Sequence, residues 1–108
     1  MNSCKFVVAA ATALFAAGAV HAADAEKAKG LIKGSDCLAC HAEATKLVGP
    51  AYKEVAKKYK GNAAATDMLV KKIKAGGSGN WGAIPMTPHP NLKDEDVKTM
   101  VDYILSLS

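Results

Sequence analysis

The sequence predicts one small all-α domain of about four helices, built around something other than its own side chains. Three observations predict it. Apolar residues recur at helical spacing in several segments, no alternating apolar and polar run is long enough for a strand, and Gly/Pro-rich stretches separate the periodic segments. With 108 residues, 50% hydrophobic and 22% charged, the chain fits one domain and excludes a disordered or collagen-like chain.

The first 22 residues read as a leader rather than as part of that domain. Lys5 supplies a positive start, Phe6 to Val20 is an apolar run of 15 residues with Thr12 as its one polar member, and Val20-His21-Ala22 has the small-residue pattern of a signal-peptidase site. As a membrane anchor the run is short: at 1.5 Å per residue it spans roughly 22 Å against a hydrocarbon core of ~30 Å. The expectation is a cleaved secretory signal peptide over residues 1–22 and a domain over 23–108, exported to the periplasm and without stable membrane insertion.

Cleavage leaves 86 residues (108 − 22), with Cys37 and Cys40 as the remaining cysteines and Tyr52, Tyr59, Trp81 and Tyr103 as the remaining aromatics. A core of that size is marginal without a staple. The charge is 13 Lys and no Arg against 10 acids, with the signs interspersed, which argues against nucleic acid and for an acidic patch on another protein.

Each helix has its own signals. Asp24 to about Lys33 begins with acids, ends with Lys, and stops at Gly34-Ser35. Pro50 is expected at the first position of a second helix, whose apolar Tyr52, Val55, Ala56 and Tyr59 fall at i, i+3, i+4 and i+7 before Gly61. A third runs from about Ala63 to Ala75, with Leu69 and Ile73 one turn apart. After a loop from Gly76 to Asn91, the last helix opens at Asp94-Glu95-Asp96 and carries the stripe Val97, Met100, Val101, Ile104 and Leu105.

Cys37-Leu38-Ala39-Cys40-His41 is C-x-x-C-H, the attachment signature of haem c. Two thiols one turn apart add across the vinyl groups of one porphyrin edge, and the adjacent His ligates the iron. One such haem per chain, covalently attached through Cys37 and Cys40, accounts for the missing core. A thioredoxin-type redox pair needs a preceding strand and a βαβ context. Structural zinc needs four ligands, nominally Cys37, Cys40, His41 and His89, of which adjacent Cys40 and His41 make an awkward tetrahedral pair.

The opposite face of the iron needs a ligand too. Met100 lies on a core stripe and Met68 sits early in a helix, whereas Met86 is bracketed by Pro85 and Pro88, which restrict the loop. Metal ligands are therefore expected to be His41 and Met86, a soft thioether favouring reduced iron. His89, three residues on, is the weaker candidate and is expected as an exposed loop residue.

Three stretches together resemble a known family: Cys37 to His41, Lys46-Leu47-Val48-Gly49-Pro50-Ala51-Tyr52-Lys53, and Trp81-Gly82-Ala83-Ile84-Pro85-Met86. In this order and spacing they are similar to the small bacterial class I cytochromes c of the c-551 (c8) type, over essentially all of residues 24 to 107. The resemblance implies the class I cytochrome c fold, helices wrapped around one covalently bound haem. It implies further cofactor contacts: the Pro50 carbonyl accepting from the His41 ring, Trp81 donating to a haem propionate, and Lys72 beside the same propionate. Two departures stand out. Lys72 is a point charge rather than a guanidinium fork, and Met86-Thr87-Pro88-His89 replaces the family's usual Met-Pro-Pro-Asn.

With both axial positions filled there is no place for a substrate, so the expected function is a one-electron carrier without catalytic residues, serving respiratory or denitrification partners. The expected partners are redox proteins: a reductase, an oxidase, a peroxidase or a small copper protein. The expected state is a monomer. The alternative is a gas-binding or peroxidase-like haem protein with an open iron position. A permanently docked electron-entry subunit would instead show a large apolar patch, for which Leu38, Leu47, Val48 and Ile84 are the candidates. Lys46, Lys53, Lys57, Lys58, Lys71, Lys72 and Lys74 form either a docking ring or an ordinary solvated face. Gly76-Gly77-Ser78-Gly79 reads as close approach to the haem edge, since neither a strand nor a G-K-[ST] sequence makes it a phosphate cradle.

Overall fold

The computed structural model describes residues 21–108. Helix α4 (Asp94–Leu105) is the hub: it packs against α1 (Ala22–Gly34), α2 (Tyr52–Lys58) and α3 (Ala65–Ala75). The stripe read from the sequence does this. Val97, Met100, Val101 and Ile104 are all buried, and Tyr103 joins them. At about 1.5–3 kcal/mol for each fully buried large side chain, this one face is a main source of stability. It meets Ala28 and Ile32 of α1, Tyr52 and Val55 of α2, and Leu69 of α3.

The helix ends follow from local chemistry. Asp94, Glu95 and Asp96 occupy the positive end of α4, and Lys74 at the end of α3 pairs with Asp94. Thr66 Oγ1 donates to Asp102 Oδ1 at 3.3 Å, linking α3 to α4. After α2, Gly61 takes φ +78°, a left-handed turn that favours glycine.

Beyond shifts of a residue or two at the ends of α1 (Ala22–Gly34) and α2 (Tyr52–Lys58), the structure departs from the sequence reading at four places in the backbone. Pro50 is not in the second helix, which begins at Tyr52 after Ala51 in extended conformation (φ −61°, ψ 145°). The reason is a tertiary contact: the Pro50 carbonyl is engaged by His41. The first N–H groups of α2 instead find partners outside the helix, Tyr52 N–H on Ala42 O and Lys53 N–H on Glu43 O, both at 3.0 Å. The third helix starts at Ala65 rather than Ala63, because Asn62 Oδ1 accepts the Ala64 N–H at 3.0 Å and holds a turn there. A short 3₁₀ turn, Asp36–Ala39, forms between α1 and the second cysteine.

The fourth departure is the Gly/Pro stretch. Part of it is an antiparallel hairpin, β1 (Gly77–Gly79) and β2 (Gly82–Met86), with Gly77 opposite Met86 and Gly79 opposite Gly82. Its glycines give no alternating side-chain pattern, which is why periodicity misses it. Gly76, at φ +67°, is the tightest point: an added Cβ would stand 2.5 Å from Met86 O and 2.7 Å from Pro88 N. The fold remains all-α in class, with this ribbon as an appendage that carries Met86.

The signal-peptide segment expected over residues 1–22 lies, apart from His21 and Ala22, outside the described residues. Among the described residues, no helix is long and apolar enough to cross a membrane.

Candidate functional site: a haem-binding cleft

A cleft of about 420 Å³ opens between the C-x-x-C-H segment and the Met86 hairpin. Ile32, Val55, Leu69, Met100, Val101 and Ile104 line it on the core side, so its floor is apolar. Cys37, Cys40, His41, Pro50, Lys72, Trp81 and Met86 line it as well. All seven candidate site residues read from the sequence thus border one cavity.

His41 is the most constrained of them. Its Nδ1 lies 2.7 Å from the Pro50 carbonyl oxygen. A carbonyl only accepts, so Nδ1 carries the proton and Nε2 keeps its lone pair for a ligand. Tyr52 stacks on the ring with centroids 5.2 Å apart and planes 21° from parallel. Gly49 supports it from another side, where an added Cβ would come within 2.4 Å of His41 Cε1. The surrounding backbone knits the segment together, with His41 N–H on Cys37 O at 2.9 Å and Gly49 N–H on Cys40 O at 2.7 Å.

Cys37 and Cys40 are free and half-buried. Burial, reinforced by the Asp36 carboxylate, pushes the Cys37 thiol above its usual range. A redox-active pair of thioredoxin type needs the opposite, a thiolate stabilised near neutrality. Nor are the four nominal zinc ligands brought together: among the described residues no group of three or more His, Cys, Asp or Glu side chains is placed to hold a metal ion.

The three methionines separate by position. Met68 is 36% exposed and away from the cleft, and Met100 is 2% exposed within the core, where it forms part of the floor. Met86 ends β2 and is partly buried at the cleft wall.

Trp81 lies in the hairpin turn, 43% exposed. The sequence reading places Lys72 beside the same propionate as Trp81; the cation over the Trp81 ring itself is Lys58. The Lys58 ammonium sits 4.3 Å from the Trp81 ring centroid and donates to Asn80 O at 2.7 Å. The Lys72 ammonium points toward Gly77, whose added Cβ would lie 3.6 Å from Nζ.

His89 corrects another expectation. It is not an exposed loop residue: its side chain is 15% exposed and its Nε2 lies 2.5 Å from Asp36 Oδ1. Sequence reading also missed Gly49 and Tyr52 as supports for His41. Gly49 beside Pro50 was the available signal, since a residue with no side chain next to one with a fixed φ marks close packing.

Comparison with known proteins decides the family. The cytochrome c family model matches residues 25–108. This chain belongs to the cytochrome c family. It is 51% identical over 77 residues to cytochrome c-551 of Allochromatium vinosum, covering 71% of this chain and 82% of that protein. It is 48% identical over 98 residues to cytochrome c-552 of Nitrosomonas europaea, covering 91% and 90%. The crystal structure of wild-type Nitrosomonas europaea cytochrome c552 superimposes with a TM-score of 0.71 at 48% identity, covering 74% of this chain and 99% of that one. As a cytochrome c of the c-551 type, this protein is a haem c electron carrier and not an enzyme.

The residues fit that cofactor. The cleft, about 420 Å³ with an apolar floor, has the size and lining for a large apolar group, and the donors around it, two thiols, an imidazole Nε2 and a thioether, are those that haem c uses.

Proposed function

We propose that this cytochrome c is an exported, periplasmic one-electron carrier with one haem c, bound through thioethers from Cys37 and Cys40 and ligated by His41 and Met86. The observation that carries this reading is the His41 ring, fixed by Pro50 so that Nε2 alone keeps a lone pair, on a side chain that borders an apolar cleft. When bound, haem c supplies a one-electron iron couple.

The chain's own residues do the rest. Pro50 holds the imidazole tautomer and orientation, a contact of the kind that tunes a metal ligand. The apolar floor excludes water, and the thioether of Met86 favours reduced iron. Trp81 and Lys72 serve a propionate, and Lys58 sets an ammonium over the Trp81 ring. With His41 and Met86 both engaged, no position is left for a substrate, and electrons pass to redox proteins that dock on the exposed surface.

Leu38, Leu47, Val48 and Ile84 are all exposed, Ile84 at 67%, and offer an apolar contact for such a partner. Of the lysines, Lys74 is engaged by Asp94 and Lys58 by Trp81 and Asn80, so Lys46, Lys53, Lys57 and Lys71 are the freer charges for an acidic partner.

Intact mass of the protein recovered from the periplasm tests the reading. The expected mass is residues 23–108 plus one haem. Replacing both Cys37 and Cys40 by Ser should remove the haem and leave a largely unfolded chain by far-UV circular dichroism, since too little core remains. A stably folded, haem-free double variant contradicts haem as the core.

A further inference from the structure

The segment that follows Met86 is fastened to the rest of the protein at two kinds of point. On one side it belongs to the α3 end of the molecule: Met86 pairs with Gly77, and the His89 backbone N–H lies 3.0 Å from Ile73 O and 3.2 Å from Lys74 O. On the other side the His89 imidazole reaches Asp36, 53 residues earlier in sequence, with Nε2 2.5 Å from Oδ1. Asp36 immediately precedes Cys37, and both Asp36 and His89 border the cleft. Among the described residues, this is the one side-chain hydrogen bond that joins the Met86 segment to the C-x-x-C-H segment.

The chemistry of the pair fixes its direction. An ionised carboxylate only accepts, so Nε2 carries a proton and donates. The histidine is the more buried partner, with 15% of its side chain exposed against 66% for the aspartate. Its Nδ1 is buried and finds no partner among the described residues, so the Asp36 bond is the imidazole's one polar anchor there.

We infer that Asp36 and His89 form a latch between the two walls of the cleft, positioning Met86 and setting how readily its loop releases the iron. The inference rests on Met86 being the iron ligand. Both residues act through Met86 and are positioning residues.

Ligand exchange on the ferric holoprotein tests it. Added imidazole competes for the Met86 position, and at saturating imidazole the rate of loss of the weak far-red methionine-to-iron band reports how often the loop opens. Asp36→Ala, His89→Ala and Asp36→Leu should each speed this limiting rate by roughly two- to fivefold, as expected for loss of one largely exposed hydrogen-bonded ion pair. The Asp36→Ala/His89→Ala double variant should be no faster than the faster single one, because the second change removes a bond already broken. Asp36→Glu, which keeps the carboxylate, should recover part of the wild-type rate.

Wild-type rates in all the variants, or single effects that multiply in the double variant, overturn the latch while leaving Met86 as ligand. A wild-type far-red band that survives Met86→Ala overturns the ligand assignment and the latch with it. If the alanine variants do not hold haem, Asp36→Leu, similar in size and without an acceptor, decides: an unchanged rate overturns the inference and a faster one supports it.

Discussion

The Nδ1 of His41 and the carbonyl oxygen of Pro50 are 2.7 Å apart, and this one bond settles both a tautomer and a helix boundary. It leaves Nε2 as the ring's only lone pair. It also withholds the Pro50 carbonyl from α2, which starts at Tyr52.

Gly49→Ala should disturb this arrangement without replacing a proposed ligand. The new methyl would stand 2.4 Å from His41 Cε1, closer than any real contact, and so must displace the ring or the backbone. Overpacking of this kind costs about 1–3 kcal/mol. Denaturant unfolding of the holoprotein should show that loss, together with a shifted potential. A variant with wild-type stability and potential would mean that the ring has room to move.

Met86 and Met100 both border the cleft, but only one is proposed as a ligand. Met86→Ala should abolish the weak far-red band of the ferric protein and lower the potential. Met100→Leu, a near volume-conserving change at a site only 2% exposed, should cost under about 1.5 kcal/mol and leave the band intact. Loss of the band in the Met100 variant would reverse the assignment.

The Asp36 carboxyl has a depressed pKa, caused first by its hydrogen bond from His89 and next by the imidazolium charge. The sign follows from linkage. A carboxyl whose folded-state pKa lies below its unfolded value contributes stability above that unfolded value, and the contribution is lost as pH falls through the folded-state pKa. Titration of Asp36 by nuclear magnetic resonance should therefore place it below the ordinary carboxylate range, and His89→Asn should return it toward 3.8, its ordinary value. An Asp36 titration indifferent to His89 would show the pair to be unformed in solution.

What the sequence made legible was local. The C-x-x-C-H spacing and the α4 stripe from Val97 to Ile104 each lie within a few turns, so periodicity and motif chemistry expose them. The β1–β2 hairpin was hidden because its paired positions are largely glycine, and glycine carries no side chain to alternate. Pro50 was read by its propensity for a first helical turn, and the tertiary bond to His41 overrode that propensity. The Asp36–His89 bond and the placement of Lys58 over Trp81 join residues 53 and 23 positions apart, and no pattern along the chain announces such contacts.

Carbon monoxide binding to the reduced protein tests the central claim most directly. If His41 and Met86 both hold the iron, the visible spectrum of the ferrous holoprotein should be unchanged by carbon monoxide at neutral pH. A carbon monoxide complex formed readily under those conditions would show an open iron position and contradict the account of this cytochrome as a closed, one-electron carrier.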